Sequence, residues 1–391
     1  MPSYMNNRNL IRRLKKMSID RRCYEEKGVP RNRGDIMRTK VAILGSSGIV
    51  SQRLQQRLSN HPWFELSAVF GSPKQQGKQL SEIPWNLPEP RPRLPPLKVH
   101  SCEKSDLKFQ LDKLNIQLVF SALPTDLALE LEPFLKDLGK QVFSNSAAHR
   151  MSPDVPLIIP ELNPDHIMLL GGSKSGFIIC STNCTVMPVA MSLKPIWDVY
   201  SFKSVKIETE QSLSGGGYEL LNSHENFSPE IPGEAEKISE ECLRLLGTLE
   251  SKVKPAHFVT QVICKRVMRN YGHVVKVKVD LEKEAAIEDI EDLISNFSSK
   301  PQELNLPSAP RCPLILSKSS IDFEDACRAG SESDNHDPAT NLKSGMAITV
   351  YNLKLIGSTL TFSAFSENTV RGAAGGCVLL AELAMQEGLL V

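Results

Sequence analysis

The sequence has few of the features that assign a chain to a special class of protein. It contains no apolar run close to the roughly 18 residues of a transmembrane helix, so we expect no membrane-spanning segment. The nine cysteines include no C-x-x-C pair, and nothing near Cys180 and Cys184 supplies a second pair of ligands, so we expect no metal site. A chain of this length needs no disulfides to hold its core, and we expect the reducing cytoplasm as its location.

An overall excess of charge is also missing. The 46 Lys and Arg residues balance 45 Asp and Glu residues, which gives no reason to expect a nucleic acid partner. The exception is residues 1–40, which contain 12 Lys and Arg against 4 Asp and Glu. We expect residues 1–36 to be a basic, disordered extension, with a translation-start artefact and a poorly formed transit peptide as alternatives. The remaining length is sufficient for two domains.

The first organised pattern is a β-α-β unit in residues 39–72. A short apolar strand, a glycine turn at 45–48, an amphipathic helix and a second strand at 64–70 follow one another. Strand and helix patterns then alternate as far as residues 177–180. This alternation predicts an α/β fold with a Rossmann-like, doubly wound parallel sheet in residues 37–183.

After Cys184 the pattern changes to long β-type runs separated by a few helices. The predicted strands are 203–213, 257–268, 273–281, 346–356 and 359–366, and the predicted helices are near 185–197, 234–246 and 287–297. We therefore predict an α+β catalytic and dimerisation domain with a largely antiparallel sheet in residues 184–368. Residues 369–391 are expected to return a closing helix, at 371–389, to the first domain. Residues 317–344 are expected to form a surface excursion.

The turn GSSGIVS, residues 45–51, predicts a nucleotide site. Between a strand and a helix, backbone N–H groups and the positive helix end can hold a pyrophosphate. The predicted cofactor contacts in this turn are Gly45, Ser46, Ser47, Gly48, Ile49 and Val50. NAD enzymes usually carry an acidic residue at the end of the second strand, but Glu65 lies at its start. The strand end instead carries Ser72 and Lys74, which suit a 2′-phosphate, so we expect NADP.

The stretch IICSTNC contains a pair of cysteines whose role is not obvious. Cys180 and Cys184 could be half of a metal site, a disulfide, two buried thiols, or a structural cysteine beside a reactive one. Cys180 lies within an apolar strand and is expected to be unreactive. Cys184 lies where that strand gives way to a helix, whose N-terminus would lower the pKa of the thiol. From the residues alone, a reactive Cys184 and a buried cysteine at a helix start are equally good interpretations.

From about residue 37 onward, the chain resembles the aspartate-semialdehyde dehydrogenase family, particularly its archaeal and fungal-type branch. The resemblance covers most of the chain and rests on eight segments in order. They are VAILGSSGIV, VFSALPTD, VFSNSAAHRMSPDVPLIIPELNPDH, STNCTV, EQSLSGGGY, IPGEAEKISEECLRLLG, CKRVMRNYGH and ENTVRGAAGG.

The resemblance implies an enzyme that reduces L-aspartyl 4-phosphate to L-aspartate 4-semialdehyde with NADPH, through a cysteine thioester, and that is a homodimer or homotetramer. It implies Cys184 as nucleophile, His273 as general acid/base and Gln211 as the residue that orients the reacting group. The implied substrate ligands are Arg266 for the α-carboxylate, Glu234 for the α-ammonium group, and Arg150 and Lys237 for the phosphate. The further implied cofactor contacts are Ser121, Ser214, Gly215 and Asn368.

Several positions depart from the family pattern, and two other functions remain possible. Ser51 stands at the third glycine position of the turn, Tyr271 stands where an acidic residue commonly precedes the Gly-His pair, and Glu367 replaces a histidine. Malonyl-CoA reductase of the same fold shares several of the segments, but that branch resembles P-L-C where this chain has Asn183 before Cys184. A non-catalytic NADP-binding paralogue is the second alternative.

Overall fold

The computed structural model describes residues 38–173, 175–223 and 227–390, which form two α/β units that share a continuous hydrophobic core. The expected basic extension, residues 1–36, lies outside the described residues. Within those ranges no helix is both long enough and apolar enough to cross a lipid bilayer.

The first unit contains a sheet of six parallel strands. They are β1 (Thr39–Leu44), β2 (Phe64–Gly71), β3 (Val99–Ser101), β4 (Leu118–Ser121), β5 (Gln141–Ser144) and β6 (Phe177–Cys180). Their order across the sheet is β3-β2-β1-β4-β5-β6, so the chain winds outward in both directions from β1. Every residue of β4, β5 and β6 is buried, as is typical of a parallel sheet covered on both faces.

Helices connect the strands of this sheet. They are α1 (Ile49–Leu58), α2 (Lys104–Lys113) and α3 (Thr125–Asp137), with 3₁₀ turns at Leu80–Glu82 and Pro164–Leu170. The sequence analysis missed β3 and α2. β3 has only three residues, and α2 buries only Leu107 and Leu111, so neither segment carries a long periodic signal.

The second unit contains a mixed sheet of six strands and a small hairpin. The strands are β7 (Phe202–Gln211), β8 (Thr248–Leu249), β9 (Val253–Lys254), β10 (Val259–Arg266), β11 (His273–Leu281), β12 (Leu314–Leu316), β13 (Ile348–Ile356) and β14 (Thr359–Ser366). The large sheet has the order β10-β7-β11-β14-β13-β12, and β8 pairs with β9. Its central pairs are antiparallel, whereas the edge strands β10 and β12 are parallel to their neighbours. This architecture confirms the predicted fold class.

The helices of the second part are unequal in length. They are α4 (Val186–Trp197), α5 (Gly217–Asn222), α6 (Glu234–Leu245), α7 (Ile287–Ser295), α8 (Lys300–Glu303), α9 (Phe323–Ala326) and α10 (Gly375–Gln386). Helix α4 lies in the hydrophobic core that includes residues of both large sheets. The expected surface excursion, 317–344, contains α9 and is anchored by the Phe323 ring, which stacks on Phe365 at 5.2 Å.

The closing helix differs in its start from the prediction. Residues Val370–Ala374 form a π-helical turn, and α10 begins only at Gly375. Helix α10 packs on the first sheet through residues such as Cys377, Val378 and Ala381. The limits 37–183 and 184–368 proposed for two domains remain a prediction.

Candidate active site

A cavity of about 660 Å³ opens beside the glycine turn that follows β1. Gly45 has a φ of 102°, which favours glycine, and a Cβ there would lie 3.2 Å from the carbonyl oxygen of Ala122. The Ser51 hydroxyl donates to the Gly45 carbonyl at 2.6 Å, so the residue at the third glycine position stabilises the turn. The turn therefore leads into the N-terminus of α1 with its backbone open to an anionic ligand.

Some of the predicted cofactor residues of the first unit line this cavity and others do not. Those that line this cavity are Gly45, Ser46, Ser47, Gly48 and Ser72. Lys74 is exposed on the adjoining turn, and Ser121 is fully buried at the end of β4. Ile49 is buried and Val50 half-buried at the start of α1. The sequence analysis missed five polar residues that line the cavity: Gln75, Ser101, Glu103, Lys104 and Glu130.

The thiol of Cys184 lies at the centre of a second cluster. Cys184 follows β6 and precedes α4, and its Sγ is 3.3 Å from Nε2 of His273, the first residue of β11. Cys180 is fully buried in β6, and the eight cysteines in the described ranges are free thiols. Two distant elements thus bring the predicted nucleophile and the predicted acid/base into contact.

His273 is held in one orientation by the strand-end residue Ser212. The backbone N–H of Ser212 donates to His273 Nδ1 at 3.1 Å, so the neutral imidazole carries its proton on Nε2, the nitrogen that faces Cys184. Burial, then the charges of Arg269 and Arg266, lower the pKa of His273 to about 3. The imidazole is therefore a neutral hydrogen-bond donor towards the sulfur.

The expectation of a lowered Cys184 pKa is wrong. Burial, then the negative charge of Glu234, raises the pKa of the Cys184 thiol to about 12, although the Arg150 charge lowers it. Cys184 lies two residues before the first residue of α4, so the helix end does not offset burial and the nearby carboxylate. The resting site therefore contains a neutral thiol beside a neutral imidazole.

Glu234 lies at the first position of α6 and is oriented by two amide side chains. Its Oε1 accepts from Nδ2 of Asn183 at 2.9 Å and from Nε2 of Gln211 at 3.3 Å. Asn183 also accepts from the backbone N–H of Thr185 through its Oδ1 at 2.7 Å. The residue before the nucleophile thus links the start of α4 to Glu234.

Three predicted cations lie in different environments. Arg266, at the end of β10, is half-buried and donates from Nη1 to the Ser212 carbonyl at 2.8 Å. Arg150 is buried and donates to Glu241, to the Ser181 carbonyl and to the Asn145 carbonyl. Lys237 is exposed in the first turn of α6. Their roles as substrate ligands remain predictions.

The remaining predicted cofactor residues pack around His273. Asn368 is buried, and its Oδ1 accepts from the Gly272 N–H at 2.8 Å and from the hydroxyls of Ser212 and Ser214. A Cβ on Gly215 would lie 3.0 Å from Cε1 of His273, so this glycine lies against the imidazole. Asn368, Ser214 and Gly215 therefore lie close to His273, and their contact with a cofactor remains a prediction.

Two further residues that the sequence analysis missed contact the loop of the nucleophile. A Cβ on Gly372 would lie 2.7 Å from the Cβ of Cys184, so the π turn packs directly on the predicted nucleophile. Glu241, on α6, is buried and accepts from the backbone N–H of Asn183. Gly372 lies in the segment RGAAGG and Glu241 in ISEECL, but no sequence pattern around either residue predicts a contact with the Cys184 loop.

Comparison with known proteins places this geometry in a family. The model of the family described as "Semialdehyde dehydrogenase, NAD binding domain" matches residues 40–170. The aspartate-semialdehyde dehydrogenase of Methanothermobacter thermautotrophicus is 36% identical over 357 residues, which cover 88% of this chain and 98% of that protein. The chain belongs to the aspartate-semialdehyde dehydrogenase family. This confirms the resemblance seen in the sequence, and the matched domain confirms the expectation of a nicotinamide dinucleotide cofactor.

Other members and neighbours of the aspartate-semialdehyde dehydrogenase family bear on the details. A crystal structure of the Candida albicans enzyme with NADP has a TM-score of 0.75 at 26% identity and covers 90% of this chain and 100% of that one. The malonyl-CoA reductase (NADP) of Metallosphaera sedula is 30% identical over 364 residues, covering 90% of this chain and 98% of that protein. Because of this similarity, malonyl-CoA reduction is the alternative activity against which the chemistry of the site is compared.

Proposed function

We propose that this chain is an aspartate-semialdehyde dehydrogenase, which converts L-aspartyl 4-phosphate to L-aspartate 4-semialdehyde and phosphate with NADPH. The observation that carries the proposal is the contact of 3.3 Å between Cys184 Sγ and His273 Nε2, beside the carboxylate of Glu234 and the guanidinium of Arg266. An activated thiol can form a thioester with an acyl phosphate, and the neighbouring charges suit an amino acid.

The charges around the thiol complement the groups of the proposed substrate. Glu234 presents a carboxylate that can accept the α-ammonium group, and Arg266 can bind the α-carboxylate in a bidentate fork. The proposed phosphate ligands are Lys237 and Arg150. Three of the five N–H groups of Arg150 donate hydrogen bonds within this chain, and the other two can donate to the phosphate. An aspartyl group bound between them would present its acyl carbon to Cys184.

Substrate binding would also activate the nucleophile. The Glu234 charge raises the pKa of Cys184, so an ammonium group that neutralises this charge lowers that pKa again. The thiol then loses its proton to bulk water, and the thiolate attacks the acyl carbon, so that the C–S bond of the thioester forms as the C–O bond to phosphate breaks and phosphate leaves. The Nε2–H of His273 donates a hydrogen bond to the sulfur. This bond stabilises the thiolate before attack and again when the thiolate is released from the product.

The dinucleotide site fits NADP. The glycine turn gives the approach that a pyrophosphate needs, and Ser72 lies at the carboxyl end of β2 while Glu65 lies at the opposite end. When bound, the nicotinamide cofactor supplies the hydride that reduces the thioester. Two residues that line the cavity can contact a 2′-phosphate: Ser72 through its hydroxyl and Lys104 through its ammonium group.

Specific contacts disfavour the two alternative functions. Malonyl-CoA has no ammonium group, and its carboxylate would be repelled by Glu234, which Asn183 and Gln211 hold in the site. A non-catalytic paralogue would not need a thiol in contact with a histidine whose tautomer is set by a backbone donor. The homodimeric or homotetrameric state and the cytoplasmic location remain predictions.

The test is phosphate-dependent reduction of NADP by aspartate semialdehyde, with malonyl-CoA and NADPH as the parallel assay. Cys184→Ser should lower kcat at least about 1,000-fold, because the nucleophile is lost. Cys312→Ser, which replaces an exposed thiol, is the matched control and should keep the wild-type rate. Equal rates for wild type and Cys184→Ser would overturn the mechanism, and activity with malonyl-CoA alone would overturn the substrate.

A further inference from the structure

The loop that carries the nucleophile is tied to a single buried carboxylate, that of Glu241. Only 2% of Glu241 is exposed, and its two oxygens receive three donors. Oε2 accepts from the Thr182 hydroxyl and from the backbone N–H of Asn183, both at 2.8 Å. Oε1 accepts from Nη1 of Arg150 at 3.1 Å. A buried carboxylate with this many donors is held rigidly, because each lost bond would leave a polar group unpaired.

Arg150 extends this attachment to the other side of the loop. Its Nε donates to the Ser181 carbonyl at 3.0 Å, and its Nη2 donates to the Asn145 carbonyl, just after β5, at 2.8 Å. Ser181, Thr182 and Asn183 are the three residues that precede Cys184 in the chain. All three are therefore held, directly or through Arg150, by Glu241.

Helix α6 presents Glu241 and Glu234 on the same face, since seven residues make about two helical turns. Glu234 binds the side chain of Asn183, whereas Glu241 binds its backbone. The two carboxylates have different surroundings. Glu234 is half-buried beside the thiol, but Glu241 is buried and already accepts three hydrogen bonds from this chain.

We propose that Glu241 is a positioning residue, which sets the place of Cys184 against His273 and the direction of Arg150. The proposal rests on the proposed function for its effect on kcat. The expected change in the reactivity of the Cys184 thiol does not depend on the proposed function, because the position of Cys184 follows from contacts within the chain. Glu241 acts through residues 181–183 and touches no reacting atom.

Glu241→Gln is the deciding variant, because it keeps the shape of the side chain and removes the charge that pairs with Arg150. Displacement of the loop by about 1 Å is expected to lower kcat for aspartate semialdehyde about 100-fold. The KM for NADP should not change, because the dinucleotide cavity is formed by other residues. The same displacement moves the half-buried Cys184 away from its packing against Gly372, so its alkylation by iodoacetamide at pH 9 should become about ten-fold faster.

Internal and matched controls separate local release from general loosening. Cys377 is fully buried in α10 and should keep its slow alkylation in Glu241→Gln, as measured by peptide mass spectrometry of each cysteine. Glu240→Gln removes an exposed carboxylate from the neighbouring position of the same helix and should behave as wild type. If Cys377 reacts faster together with Cys184, or if Cys184 reacts at the wild-type rate, the proposal is overturned.

A second variant decides the matter if Glu241→Gln does not fold. Thr182→Val removes one of the three donors and leaves the pair of Glu241 and Arg150 intact. We expect faster alkylation of Cys184 and kcat lower by about three- to ten-fold, and unchanged values for both would refute the positioning role. Failure of the proposed function appears separately, as a wild-type enzyme that is inactive with aspartate semialdehyde while the alkylation rates still differ between variants.

Discussion

At the scale of single residues, burial and neighbouring charges set the protonation of both Cys184 and His273. Burial and Glu234 hold the Cys184 pKa high, and His273 is kept neutral by burial and by two arginines. Neither group is charged near neutral pH. In the proposed mechanism, an ammonium group bound next to Glu234 would neutralise this charge and lower the pKa of the Cys184 thiol.

Glu234→Gln is predicted to make the Cys184 thiol more reactive in the absence of substrate. In the wild type the pKa of about 12 lies above the usable range, so alkylation should rise about ten-fold per pH unit between pH 7 and 10. Removal of the negative charge lowers the pKa, which raises the thiolate fraction and the alkylation rate at every pH, by about three- to ten-fold. Glu236→Gln, which neutralises an exposed carboxylate on the same helix, is the control. Equal alkylation rates in Glu234→Gln and the wild type would contradict this account of the pKa.

Asn183→Leu is predicted to weaken the recognition of aspartate semialdehyde. The substitution removes the amide that donates to Glu234 at 2.9 Å, and a bond to a charged group contributes about 1.5–3 kcal/mol. We expect kcat/KM for aspartate semialdehyde to fall about 10- to 100-fold, with the KM for NADP unchanged. Steady-state kinetics at varied substrate would check this. A kcat/KM equal to that of the wild type would show that Gln211 orients Glu234 without help from Asn183.

At the scale of elements, Cys184 lies between His273, at the start of β11, and the π turn that opens the closing helix. Residues Val370–Ala374 depart from regular α-helical geometry where Gly372 meets Cys184. Such π turns occur frequently at functional sites. The turn allows the backbone of Gly372 to approach Cys184 more closely than a side chain would permit.

Gly372→Ala is predicted to displace the nucleophile. The new methyl group would lie 2.7 Å from Cβ and 2.9 Å from Cα of Cys184, closer than real Cβ atoms approach. We expect kcat to fall at least about ten-fold, although alanine in place of a helical glycine would ordinarily stabilise a helix by up to about 1 kcal/mol. Kinetics and thermal unfolding of the same preparation would check this. Full activity with a raised melting temperature would refute the close approach.

At the scale of the whole molecule, one buried ion pair connects the closing segment to the loop after β5. Nη2 of Arg371 lies 2.7 Å from Oε2 of Glu161, and both side chains are fully inaccessible to solvent. Arg371 precedes Gly372, so the pair also supports the π turn. Breaking a buried pair leaves one charge without its partner.

Glu161→Gln is therefore predicted to destabilise the protein by about 3–5 kcal/mol. The control is Glu291→Gln, which removes the partner of Lys318 in an ion pair where 78% of the lysine side chain is exposed. That change should cost no more than about 1 kcal/mol. Urea unfolding of both variants would check the difference, and equal midpoints would show that Arg371 finds another acceptor.

The sequence by itself determined the fold class and, through ordered motifs, the family, and the resemblance to that family pointed to Cys184 and His273. These follow from local signals, because alternating strands and helices, a glycine turn and ordered motifs are each readable within a short stretch of chain. The short elements β3 and α2 were missed because three residues, or two buried leucines, carry little periodicity.

Only the tertiary structure decided the electrostatics and the support of the site. Glu241 lies 59 and 91 residues from its partners Thr182 and Arg150, and Gly372 is brought to Cys184 by the return of the last helix. The pKa of Cys184 depends on burial and on Glu234, so the helix start seen in the sequence pointed in the wrong direction. Burial and long-range contacts arise only when distant parts of the chain pack together, so no local spacing in the sequence predicts them.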